Sequence, residues 1–103
     1  MKTIYKYELL NLGVNEIEIP VCSEYLKVDV QRGVICLWAL VDTEKRPTKV
    51  KLIVVGTGCD INSFSEDNKD PNIEKSICKQ NYIGTVQLGG GNFVFHIFNY
   101  RSY

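Results

Sequence analysis

One histidine, one tryptophan, one methionine and three prolines occur in the 103 residues, and the formal net charge is zero. Each shortage excludes something. With only His96, a catalytic base would still need a carboxylate to orient it and a nucleophile beside it, and no motif supplies either. A balanced charge excludes a protein that holds long nucleic acid by bulk electrostatics, and it leaves little repulsion between copies, which favours a homo-oligomer. The four cysteines (Cys22, Cys36, Cys59, Cys78) contain no C-x-x-C pair and lie far from His96 in sequence. The expectation is therefore reduced thiols, no metal and no cofactor. Cys59 and Cys78 bracket a polar segment and are the one pair the sequence leaves open to meet. At the N-terminus charges interrupt every apolar run, so no secretory h-region is read there, and no stretch approaches the ~20 apolar residues of a membrane span. The default compartment is the cytosol.

What is present is strand grammar. A chain of this length forms one domain (1–103), and 45% apolar with 23% charged residues is ordinary for a globular protein. Thr3–Leu10 favours strand, with Tyr5 and Tyr7 on one face. Val14–Ile19 alternates Ile17 and Ile19 with Glu16 and Glu18 before Pro20 stops it. In Tyr25–Gln31 the residues Leu26, Val28 and Val30 face one way and Tyr25, Lys27, Asp29 and Gln31 the other. Gln31-Arg32-Gly33 turns the chain into Val34–Val41, apolar on both faces and so expected to be central and covered on both sides. Lys49–Val55 follows a charged loop and ends in Gly56-Thr57-Gly58. Tyr82–Leu88 and Phe93–Tyr100 flank Gly89-Gly90-Gly91 as a closing hairpin.

Between them, residues 59–81 form a polar insertion. Asp70-Pro71 offers an N-cap and a first-turn proline, and Ile73 and Ile77 lie four apart, which predicts one short helix near 71–79. The fold class is all-β: a small antiparallel sandwich or partly closed barrel of about seven strands.

The glycine motifs are incomplete as phosphate sites. Gly56-Thr57-Gly58 lacks the Walker lysine and the third glycine of a dinucleotide fingerprint, so it reads as a turn. Glu66, Asp67 and Asp70 lack EF-hand spacing. The aromatics are the most suggestive group. Trp38 and most phenylalanines are expected in the core, while tyrosines near cations suit the stacking of a base.

The blocks Thr3-Ile4-Tyr5-Lys6-Tyr7-Glu8-Leu9, Val30-Gln31-Arg32-Gly33, Leu37-Trp38-Ala39-Leu40-Val41-Asp42, Val55-Gly56-Thr57-Gly58, Tyr82-Ile83-Gly84-Thr85 and Val94-Phe95-His96-Ile97-Phe98 run in that order. Together they resemble a family of short, uncharacterised bacteriophage and prophage proteins. The resemblance covers nearly the whole chain and brings no catalytic residues. It implies only an accessory protein acting in the host bacterial cytoplasm. Aromatic and arginine content, set in that context, gives the expectation of a non-enzymatic protein that counters host defence by sequestering a small nucleotide signal. Arg32, Tyr25, Thr57, Tyr82, His96 and Arg101 suit such a site, offering guanidinium, ring, hydroxyl or imidazole. The alternatives are an inhibitor or adaptor of a host protein, which would expose an apolar patch or a bare strand edge, and a minor virion component.

Overall fold

The computed structural model describes residues 1–61 and 70–103. The middle of the polar insertion, with Phe64, Glu66 and Asp67, lies outside the described residues. Among the described residues the strands are β1 (Lys2–Leu9), β2 (Gly13–Pro20), β3 (Glu24–Gln31), β4 (Val34–Asp42), β5 (Pro47–Gly56), β6 (Tyr82–Leu88) and β7 (Phe93–Asn99), with one helix, α1 (Pro71–Ser76). They form two antiparallel sheets, ordered β1–β4–β3 and β2–β5–β7–β6. The sheets pack face to face, and no barrel closes. Their shared core takes Leu9, Val28, Ile35 and Leu37 from one sheet and Leu52, Val54, Val86 and Ile97 from the other.

Period-2 alternation explains most of this burial. In β2 the inward Ile17 and Ile19 alternate with exposed Glu16 and Glu18, which stand opposite Lys51 and Lys49 of β5. Pro20 and Pro47 face each other at the end of that ladder, where a missing amide donor is tolerated.

Two readings of pattern give way to the structure. First, β4 is the central strand of its sheet, but among the described residues another element packs on only one of its faces. Ile35, Leu37, Ala39 and Val41 are buried against the other sheet, whereas Trp38 is half-buried on the outer face and Leu40 is 36% exposed there. The strand buried on both faces is β5, where every residue from Leu52 to Gly56 is buried. Its inner residues meet the three-stranded sheet. Its outer residues, Ile53 and Val55, lie under Ile73 of α1, with Ile61 and Ile77 alongside. Fully burying Leu52, Ile53 and Val54 contributes about 1.5–3 kcal/mol for each side chain.

Second, β3 carries a bulge. Tyr25 pairs with Ala39 and Lys27 with Trp38, so Leu26 is the extra residue. A bulge reverses the phase of alternation on one side of it. Tyr25 therefore packs inward on the core while Leu26 is 47% exposed.

The β3–β4 hairpin has a two-residue loop in which Arg32 (φ 53°) and Gly33 (φ 77°) both lie in the left-handed region, the signature of a type I′ turn. Where β6 crosses β3, Gly84 leaves no room for a side chain: an added Cβ would overlap Val28.

Helix α1 starts as its sequence predicts and ends sooner. The Asp70 carboxylate accepts the Asn72 N–H at 2.9 Å, and Pro71 opens the first turn. The helix stops at Ser76, and a 3-10 turn (Lys79–Asn81) leads into β6. The Tyr100 hydroxyl donates to Asp70 at 2.6 Å and ties the cap to the end of β7. That bond, with the Asn72 amide, holds the Asp70 carboxyl below its ordinary value near 3.8.

Two outcomes follow from this packing. Gly84→Ala drives a methyl into Val28 and lowers stability by about 1–3 kcal/mol, measured by urea unfolding, while adding Val28→Ala recovers part of the loss. The Asp70 contribution is complete above the unfolded carboxyl pKa of about 3.9 and disappears as pH falls through the lower folded value. Wild type therefore exceeds Tyr100→Phe in stability at neutral pH, and the two converge in unfolding titrations carried to acid.

Candidate functional site

The outer face of the four-stranded sheet carries a continuous run of polar side chains. Register places Thr85 of β6 opposite His96 of β7, and His96 opposite Val55 of β5. Thr57 sits just past the end of β5, where its amide donates to the Val94 carbonyl at 3.0 Å. The His96 ring lies between two hydroxyls: Nε2 is 2.7 Å from Thr57 Oγ1, and Nδ1 is 3.0 Å from Thr85 Oγ1. Tyr82 extends the run, its hydroxyl 2.5 Å from Thr85 Oγ1. The Tyr82 ring packs edge-on against Phe98 at 5.7 Å and is 48% exposed.

Four groups in series impose a direction. A neutral imidazole has one donor and one acceptor nitrogen, and a hydroxyl has one hydrogen to give. With hydrogen on Nε2, Tyr82 donates to Thr85, Thr85 to Nδ1, and Nε2 to Thr57. The Thr57 hydroxyl is then left to donate outward. With hydrogen on Nδ1 the order reverses and the Tyr82 hydroxyl is left instead. The chain therefore presents one spare donor, at whichever end the tautomer selects.

Both ends adjoin open space. Thr57 lines a recess of about 340 Å³ shared with Cys59, Asn92, Phe93 and Phe95. Arg101 flanks the Tyr82 end: its Nε donates to Asn81 Oδ1 at 2.5 Å, and Asn81 is the residue next to Tyr82. Beyond it, Arg101, Lys49, Lys51 and the acidic Glu16 line a groove of about 360 Å³, with the Lys51 ammonium 5.3 Å from the centre of the Tyr100 ring. The backbone of Arg101 is pinned by buried Ser76, whose hydroxyl accepts its amide at 2.9 Å. The guanidinium thus leaves the surface from a fixed point.

Of the six residues singled out in the sequence, Thr57, Tyr82 and His96 join one hydrogen-bonded chain, and Arg101 bonds Asn81, the residue before Tyr82. Tyr25 and Arg32 belong to the other sheet. Tyr25 is turned into the core, where desolvation raises its pKa, and Arg32 sits in the β3–β4 turn. Thr85 is the member that sequence reasoning missed. Its signal was present: in β6 it lies three residues after Tyr82, and the bulge at Ile83 restores both to one face. All four cysteines are free thiols, Cys59 and Cys78 included. Among the described residues, no three His, Cys, Asp or Glu side chains group as metal ligands.

His96→Ala removes both central hydrogen bonds. At about 0.5–1.5 kcal/mol net for each bond, the expected loss is about 1–3 kcal/mol in urea unfolding, and Thr85→Val, which also removes two bonds, costs a similar amount.

A third opening lies at the sandwich end formed by the β1–β2 loop, the β3–β4 turn and the β6–β7 hairpin. It is an apolar cavity of about 250 Å³ lined by residues that include Leu9, Leu12, Ile35, Val54, Leu88 and Phe95. A family model described as a domain of unknown function (DUF7352) matches residues 1–102. No curated protein and no solved structure matches the chain.

Proposed function

The chain belongs to the DUF7352 family, and for it we propose a binding function: capture of a small nucleotide, in keeping with a phage accessory protein that removes a host defence signal. The observation that carries this reading is the hydrogen-bonded chain Thr57–His96–Thr85–Tyr82, laid across three segments with one donor to spare. A base has an exposed ring to rest on at Tyr82. Its acceptors meet a hydroxyl whose direction the imidazole can switch. The phosphates extend toward Arg101, where the remaining guanidinium nitrogens and the two lysines of the adjoining groove outweigh the one carboxylate there, Glu16. The chain lies on an exposed sheet face, and its Thr57 end opens into the recess walled by Phe93 and Phe95.

The same geometry favours binding over catalysis. Both ring nitrogens of His96 are engaged by threonine hydroxyls. A threonine takes the position in which an orienting carboxylate would stabilise an imidazolium.

One observation favours a second reading, in which the target is a host protein. Leu10 and Leu12, exposed at 73% and 61%, stand at the apolar end cavity. A partner's apolar side chain could lodge there as an anchor.

Isothermal titration of the full chain against cyclic and linear mono- and dinucleotides tests the first reading. Wild type is expected to release binding heat with at least one of them. Tyr82→Ala and His96→Ala are each expected to weaken binding about tenfold or more, while Lys45→Ala, in the β4–β5 loop, leaves it unchanged. No heat with any nucleotide removes this reading and leaves the protein target.

A further inference from the structure

Among the described residues, no other element of the fold packs on the outer face of the three-stranded sheet, although its own neighbours bury Cys36 there. Register alone gives its pattern. Across β1, β4 and β3 the outward residues form rows: Ile4–Leu40–Glu24, then Lys6–Trp38–Lys27, then Glu8–Cys36–Asp29, then Val34–Gln31. Two cations flank Trp38, and two carboxylates flank Cys36 in the next row, about 7 Å further along the strands. Ile4 and Leu40 are 56% and 36% exposed. Within one copy this pattern is only partly used. Lys27 pairs with Asp29 at 3.2 Å, and Lys6 reaches diagonally over β4 to Gln31 at 2.7 Å.

We infer that this face docks on the same face of a second copy, about a two-fold axis running across the strands between the Trp38 and Cys36 rows. That operation reverses strand direction and keeps β1 over β1 and β3 over β3. Lys6 then meets Glu8 of the second copy, and Lys27 meets its Asp29. Trp38 packs over the row of its already buried Cys36 and the Lys6–Gln31 bond that shields it, and the Ile4–Leu40 row covers its Val34. The other in-plane axis, along the strands, lays Lys6 on Lys27 and Glu8 on Asp29, which is repulsive at every charged contact. The charge pattern therefore selects one arrangement, and the contact is isologous, as a closed dimer requires.

Its size sets its strength. Eight-residue strands span about 26 Å and three strands about 14 Å, or roughly 400 Å² of face for each copy. Stable interfaces bury about 800 Å² for each partner, so this dimer is of the weak, salt-sensitive class. The face lies on the sheet that does not carry the His96 chain, so the inference stands apart from the nucleotide reading.

Sedimentation of the full chain over a concentration series tests it, read together with the emission of the single tryptophan. Wild type is expected to shift from monomer to dimer with concentration, to shift back in high salt, and to show blue-shifted Trp38 emission on association. Lys6→Glu/Lys27→Glu and Glu8→Lys/Asp29→Lys are each expected to be monomeric alone and to dimerise when mixed, which also shows that both are folded. Leu40→Glu, at an exposed position, is expected to be monomeric. The inference is overturned by wild type that stays monomeric to about 1 mM, by either charge variant or Leu40→Glu dimerising like wild type, or by a mixture that restores nothing.

Discussion

Burial of β5 on both of its faces is the constraint from which the rest of the molecule follows. Leu52 and Val54 fasten it to the three-stranded sheet, and Ile53 and Val55 fasten it to Ile73 of α1. A strand held from both sides has a fixed end, and that end is Gly56-Thr57. The Thr57 hydroxyl therefore stands at a set distance from His96 on the neighbouring strand. The same clamp seats α1, and α1 with the 3-10 turn in turn pins Arg101 through Ser76 and Asn81.

Much of this was legible in the chain, because much of it is local. The seven strands follow from two-residue periodicity, the two hairpins from glycines at turn positions, and the start of α1 from Asp70-Pro71. Three of the six residues proposed for a ligand meet in one hydrogen-bonded chain, because each is a polar residue set in or at the end of an apolar strand of the same sheet. What was hidden depends on long-range pairing. Nothing in the residues of β1 says that its partner is β4 rather than the β2 that follows it, since both pairings would satisfy the same alternation. The bulge at Leu26 was equally silent, and it exchanged the faces of Tyr25 and Leu26.

The misreading of β4 is the more instructive. An apolar run on both faces signals burial only when something is available to cover the second face. In β5 the helix supplies that cover. In β4 no other element among the described residues does, and the Lys6–Gln31 bond across the strand is a partial shield that accompanies a fully buried Cys36. Apolar residues without an internal partner are the usual mark of an external one. The zero net charge, first read only as permission for copies to associate, resolves on this face into adjacent rows of opposite sign.

Native-state hydrogen exchange tests the central claim most directly, because it ranks strands by the free energy needed to expose their amides. If β5 is the clamped strand, the amides of Leu52 to Val55 exchange only through global unfolding, at the slowest rates in the chain, and those of β4 exchange no more slowly. Slowest exchange in β4, with β5 amides released together with α1 in a sub-global opening, would contradict the account.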